Sequence, residues 1–199
     1  MIALIDYGAG NLTSVKKALA AIGADVRVPE QPEDLASAQG VIIPGVGHFG
    51  ATRALHGAWM DGILALLGNG RPLFGICLGM QWLFEGSDEA PDCPGLGLLA
   101  GQCYRLPGGD GIKVPHVGWN SLAVQRASPS LDGVPDGSPV YFTHSYAAPV
   151  TGDTVAIAEH GEPFAAVVEH GQVSGVQFHP EKSGDVGLQI LRNFVALAG

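Results

Sequence analysis

The chain has 199 residues, 46% of them hydrophobic and only 15% charged, with a net charge of −9 and a mean hydropathy of +0.23. This balance excludes a disordered chain and predicts a substantial core, and the length fits one domain over 1–199. With only 10 Lys+Arg and no basic run, neither nucleic acid nor an anionic membrane is an expected partner. Cys77, Cys93 and Cys103 form no CxxC pair, which points to a reducing compartment. MIALIDYGAG lacks the basic start of a signal peptide, and no uncharged apolar run reaches the ~18 residues of a spanning helix. A cytoplasmic location is expected.

The first half alternates short apolar runs with helical periodicity. Ile2–Ile5 reads as a strand, followed by GAGN and a helix carrying Leu12, Val15, Leu19 and Ile22, with Asn11 as its N-cap. Val26–Val28 and Gly40–Ile43 are the next strands, the latter ending at PGVG (44–47). A helix is predicted over 51–67 through Leu55, Trp59, Ile63 and Leu66–Leu67. Leu73–Ile76 is a fourth apolar run, and Leu78–Phe84 begins a further helix. Strand, turn and helix repeated in this way predict an α/β domain with a mainly parallel central sheet flanked by helices.

The second half changes character. LPGGDG (106–111) and DGVPDGSP (132–139) are turn-rich. Between and beyond them, PVYFTHSY, TVAIAEH, FAAVVEH and VSGVQFH alternate as antiparallel strands would, forming an antiparallel β extension. A last helix, near Asp185–Leu197, places Val186, Ile190, Phe194 and Leu197 on one face.

The stretch FGICLGMQ (74–81) sets a cysteine between two glycines where a buried strand gives way to a helix. Taken alone, this pattern fits a small buried hydrophobe as well as it fits a nucleophile on a sharp strand-to-helix elbow. Cys93 and Cys103 lack such a context. A nucleophilic cysteine needs a base, and the base an orienting group. His48, His56, His160 and His170 sit near glycines or strand ends with no acidic residue set to orient them, and read as surface or turn residues. In QFHPEKS, His179 stands two residues before Glu181. On extended backbone the two share a face while Pro180 turns outward. The oxyanion of such a site needs two N–H donors: Leu78 supplies one, and PGVG, with Gly45 and Val46, is the candidate for the other.

In this order, the cysteine, PGVG and HPE make the chain resemble the class I, or triad-type, glutamine amidotransferases. DYGAGNL (6–12), PGVGHFG (44–50), KVPHVGWN (113–120) and FHPEKS (178–183) resemble in particular the glutaminase subunits of imidazole glycerol phosphate synthases. The resemblance runs from Ile2 to Phe194. It implies that Cys77 attacks the side-chain amide of glutamine, that His179 passes a proton to leaving ammonia, and that Glu181 orients His179. It implies further that Gln81 and Glu89 hold glutamine, with N–H groups of Gly47, Ser145 and Tyr146 on its α-carboxylate. A (β/α)8-barrel cyclase subunit is the implied partner, with Asn11, Trp119, Asn120, Tyr141 and Lys182 at the docking and gating positions. Trp119 and Tyr141 fit a core equally well. The Gly45–Val46 peptide is implied to hold its N–H away from the oxyanion until the cyclase carries its ligand. Val117 and His48 depart from the pattern, where methionine and alanine are common. No metal and no organic cofactor is expected. Competing readings are a glutaminase of another synthase, a non-catalytic binding module of the same fold, and a cysteine protease. Met80 and Leu78 speak against two of the other synthases, and the intact triad against the binding module.

Overall fold

The computed structural model describes residues 1–109 and 111–199; Asp110, within the turn expected at 106–111, lies outside the described residues. Strands β1 (Ile2–Leu4), β2 (Val26–Arg27), β3 (Gly40–Ile43) and β4 (Leu73–Ile76) alternate with helices α1 (Leu12–Ala21), α2 (Ala58–Gly68) and α3 (Leu78–Trp82). Then follow β5 (Gly86–Ser87), β6 (Gln102–Arg105), β7 (His116–Ser121), β8 (Ala123–Val124), β9 (Pro139–His144) and β10 (Tyr146–Ala147). The chain finishes with β11 (Thr154–His160), β12 (Glu162–His170), β13 (Val173–Val176) and α4 (Gly184–Ala198).

One eight-stranded sheet runs in the order β2-β1-β3-β4-β13-β12-β11-β8. It is parallel from β2 to β13 and antiparallel from there on. This is the expected α/β sheet with its antiparallel extension. One assignment changes: β13 was expected to be antiparallel throughout, but it is the fifth parallel strand, paired with β4, and only its far edge is antiparallel to β12. Its four buried residues explain this, because a strand covered on both faces belongs in the middle of the sheet. A ribbon of β7 and β9 and a small sheet of β10, β6 and β5 stand beside it.

The pleat divides the core. Ile2, Leu4, Ile42, Phe74, Ile76 and Val176 face α1 and α4, while Ala3, Val41, Ile43 and Leu73 face α2 and α3. Asn11 caps α1 as expected, its Oδ1 accepting from the Ser14 N–H at 3.2 Å.

Three helices differ from expectation. The 51–67 segment is a 3₁₀ turn, Phe49–Leu55, then α2, because Gly57 at φ 71° breaks the run. Helix α3 stops at Trp82 instead of Phe84. The carbonyls of Trp82, Leu83 and Phe84 are taken by the N–H groups of Leu96, Leu98 and Gly97, so the helix is not continued. On α4, Ile190 and Phe194 are buried and Val186 packs on the core as expected, joined by buried Gly187, Leu191 and Asn193, while Leu197 is 47% exposed in its last turn.

Phe194 stacks on Phe74 at 5.2 Å and joins α4 to the centre of the sheet. Phe194→Ala is expected to cost about 3–5 kcal/mol, read as a lower urea midpoint with an unchanged slope.

Candidate active site

Three adjacent parallel strands, β3, β4 and β13, end at one edge of the sheet. Their C-terminal ends lead into PGVG, Cys77 and the segment 177–181. Such an edge is where open α/β sheets place ligands.

Cys77 has φ 51° and ψ −106°, and among the described residues it is the one non-glycine with positive φ. Holding a residue there costs on the order of 1–3 kcal/mol and needs a surrounding structure that enforces it. Here the glycines and neighbouring backbone do so. A Cβ on Gly75 would stand 2.6 Å from the Met80 nitrogen, and one on Gly79 would collide with the Ile43 carbonyl oxygen. The Cys77 N–H donates to Val176 at 2.8 Å. Cys93 and Cys103 are simply buried, and burial followed by the Asp88 charge pushes the Cys103 thiol far up.

His179 Nδ1 lies 2.8 Å from Glu181 Oε1, with both side chains sealed from solvent. The pairing arises differently from the extended i, i+2 arrangement expected. β13 ends at Val176, and Pro180–Lys182 is a 3₁₀ turn that brings the carboxylate back to the ring. Pro180 points inward, its carbonyl closely packed on Gly187 of α4. Burial alone would lower the His179 pKa, but the neighbouring Cys77 and the Glu181 carboxylate outweigh it and raise it to about 9. The ring's Nε2 makes no well-formed hydrogen bond, nor does Glu181 Oε2.

The cavity beside Cys77 has a volume of ≈ 220 Å³, and Gln81, Glu89, Gly47, Ser145 and Tyr146 all line it. Gln81 Nε2 donates to the Tyr146 carbonyl at 2.7 Å and to Gln177 Oε1 at 3.1 Å, and Gln177 Nε2 reaches Cys77 Sγ at 3.5 Å. Glu89 accepts from the Phe49 N–H at 2.7 Å, so it is a fixed carboxylate in the wall and not a solvated loop charge. Val46 and Leu78 also line the cavity, but the Leu78 N–H points to the Gly45 carbonyl, 3.4 Å away.

Of the expected docking residues, Asn11, Trp119 and Lys182 are exposed and Tyr141 is half-buried. Val117 and Trp119, each 58% exposed, project from the same face of β7. Trp119 meets Tyr141 edge-on at 6.0 Å, and Lys182 Nζ lies 5.6 Å from the Tyr141 ring centre. Neither aromatic residue is buried in the core, whereas Asn120 turns inward to the Glu159 carbonyl at 2.8 Å. Asn11 stands exposed at the start of α1.

Sequence reading missed a chain of imidazoles. His144 Nδ1 faces the Tyr146 carbonyl at 2.9 Å, so it carries a proton. Its Nε2 is then free to accept from His116 Nδ1 at 3.0 Å, and His116 Nε2 faces Asn120 Nδ2 at 3.4 Å. The Asn120 amide is fixed by Glu159 and by the Ser121 N–H, which donates to Oδ1 at 2.8 Å. The chain therefore has a single polarity and both rings are neutral. Burial, then the neighbouring His160, lowers His116 to about 4. Burial lowers His144 to about 3, against the opposing Tyr146 carbonyl. His160 itself, expected at the surface, stacks on His116 at 4.1 Å, and His170 pairs with Asp153 at 2.9 Å, an acidic partner the sequence did not suggest. Gln177 could have been found, since it shares the period-2 face of His179. The His116–His144 pair could not, because it depends on the register of β7 and β9.

Among the described residues no cluster of His, Cys, Asp and Glu could hold a metal ion, and no helix is long and apolar enough to cross a membrane.

Two opposing pH effects follow. His116 and His144 bind protons more weakly folded than unfolded, so stability falls as pH drops from about 6.5 towards 4. The His179 contribution is complete below about 6.5 and fades as pH rises towards 9. A thermal midpoint that is highest near neutrality is expected, with a shallower acid limb in His116→Phe, measured by circular dichroism across pH.

The profile of the family "Glutamine amidotransferase class-I" matches residues 3–198. The chain is 48% identical to the imidazole glycerol phosphate synthase subunit HisH of Xanthomonas euvesicatoria pv. vesicatoria (strain 85-10), over 99% of this chain and 98% of that one. It is 49% identical to the same-named subunit of Halobacterium salinarum, over 98% and 92%, and 48% identical to that of Geobacillus kaustophilus, over 100% and 97%. A crystal structure of a glutamine amidotransferase superposes with a TM-score of 0.77 at 22% identity over the whole of both chains. PurLQS from Thermotoga maritima gives 0.77 at 19% identity, over 98% and 97%. At these identities the structures speak for the fold.

Proposed function

The chain belongs to the class I glutamine amidotransferase family, and we propose that it is the glutaminase subunit of an imidazole glycerol phosphate synthase, acting through Cys77, His179 and Glu181. The observation that carries the chemistry is the strained elbow of Cys77 beside the sealed His179–Glu181 pair. The near full-length identity to HisH subunits supports the choice of synthase.

In this reading the Cys77 thiolate attacks the side-chain carbonyl carbon of glutamine. His179, held by Glu181 and kept protonated near neutral pH, gives its proton to the departing nitrogen. Ammonia leaves and a glutamyl thioester remains. Water, losing a proton to His179, attacks the thioester and releases glutamate and the thiolate. The substrate is held by Gln81, by the Glu89 carboxylate at its ammonium group, and by N–H groups of Gly47, Ser145 and Tyr146 at its carboxylate.

The oxyanion of the tetrahedral intermediate takes the N–H groups of Leu78 and Val46. That requires the Gly45–Val46 peptide to rotate, since its carbonyl now accepts from Leu78. A missing donor lowers turnover by about 10²–10³, so the peptide is a gate. Glycine is required at 45, because a Cβ would collide with Tyr7 Oη and stand 2.8 Å from Leu78 Cβ. A cyclase subunit, docking on Asn11, Trp119, Asn120, Tyr141 and Lys182, biases the gate when it carries its own ligand and receives the ammonia. The exposed Val117 and Trp119 give this surface the apolar area a dry joint needs.

Glutamate release by the chain alone, with the cyclase, and with the cyclase plus its phosphoribulosyl ligand tests the proposal. Strong release only in the third mixture, lost in Cys77→Ala, is expected; indifference to the cyclase would remove the synthase assignment. Under the same conditions His179→Asn should lower kcat by about 10²–10⁴ with little change in KM, measured at saturating glutamine.

A further inference from the structure

Tyr7 follows β1 in the loop DYGAGN. Its ring is half-buried, but its hydroxyl is sealed from solvent and has no hydrogen-bond partner among the described residues. A buried donor of this kind is destabilising unless another state satisfies it. The hydroxyl lies directly against Gly45, since a Cβ there would collide with Tyr7 Oη. Tyr7 is not a wall of the cavity, although Val46, Gly47 and Leu78 are. It therefore stands behind the oxyanion turn, against Gly45. Burial, then the Cys77 charge, pushes its pKa well above the ordinary tyrosine value, so it is a donor at every working pH.

The Gly45 carbonyl is the matching acceptor. It now accepts the Leu78 N–H at 3.4 Å, a long bond, and rotation of the 45–46 peptide takes it off that donor. We infer that Tyr7 is a positioning residue whose hydroxyl receives the Gly45 carbonyl in the rotated state. One rotation then does three things: it frees the Leu78 N–H, aims the Val46 N–H at the oxyanion, and satisfies the orphaned phenol. The Gly45 carbonyl thus exchanges the Leu78 donor for the Tyr7 donor and keeps a hydrogen bond in both states, which lowers the cost of opening the gate. The inference rests on the peptide rotation proposed above.

Tyr7→Phe keeps the ring and removes only the hydroxyl. In the complex with ligand-loaded cyclase, kcat for glutamate release is expected to fall about tenfold, one hydrogen bond's share of the equilibrium, with KM for glutamine unchanged. Affinity for glutamate γ-semialdehyde should fall by the same factor. That aldehyde adds the Cys77 thiolate to give a tetrahedral thiohemiacetal whose oxygen occupies the oxyanion position. Affinity for glutamate should not change, and the thermal midpoint of the variant should equal or exceed that of the parent. Parental kcat and aldehyde affinity in Tyr7→Phe would overturn the inference and transfer the role to the nearby Gly79 N–H. A clear drop in midpoint would overturn it too, by making the hydroxyl a packing element. Failure of the parent complex to respond to the cyclase ligand would instead strike the rotation itself.

Discussion

How closely α3 can approach the ends of β3 and β4 governs the site. Gly75 and Gly79 remove the two side-chain carbons that would hold the helix away, and the space they leave is filled by Met80 backbone and by the Ile43 carbonyl. With the helix this close, the chain between β4 and α3 has one residue in which to turn, and that residue takes φ 51°. The strain at Cys77 is thus the product of tight packing on both sides. The same approach brings Leu78 within reach of the Gly45 carbonyl, so the turn after β3 and the turn after β4 cannot move independently.

Charge around the cavity is set by burial and by whether an anionic neighbour offsets it. His179, His144 and His116 lie in one neighbourhood, with His160 stacked on His116, yet the three are pushed apart in proton affinity. His179 is buried beside Cys77 and a carboxylate and is raised to about 9, while burial lowers His144 to about 3, against its Tyr146 carbonyl, and His116 to about 4. The neutral pair runs from Asn120 on the ribbon to Tyr146 at the cavity wall, and Gln81 meets the same Tyr146 carbonyl from α3. The polar framework that shapes the cavity therefore also ties the β7–β9 ribbon to the helix behind Cys77.

Much of this could be read from the residues in order. Short apolar runs beside Pro44 and Pro72 marked β3 and β4 to the residue, because doubly covered parallel strands are continuous apolar runs. Cys77 and PGVG were legible for the same reason, each lying at the end of such a run. The HPE segment was legible in content but not in shape, since a proline after an apolar run reads equally as a strand end or as the first residue of a turn. What the sequence hid is what depends on register between distant segments. His116 opposite His144 needs the β7–β9 pairing, and the early stop of α3 needs the 96–98 backbone to claim its last carbonyls. The place of β13 beside β4 was hidden too, because VSGV alternates like its antiparallel neighbours.

That placement of β13 also sets when the site can exist. Cys77 lies at the end of β4, and His179 arrives only with a strand about a hundred residues further along the chain, whose Val176 carbonyl receives the Cys77 N–H. Contacts of such long sequence separation form late, since the intervening loop must close before they give anything back. A growing chain therefore exposes its cysteine turn on the ribosome without a base, and β4 waits with an open edge until residues 173–176 fill it. Cys77 and His179 therefore come together only once β13 has paired with β4, and a chain cut short before its last strand has the cysteine turn without the histidine.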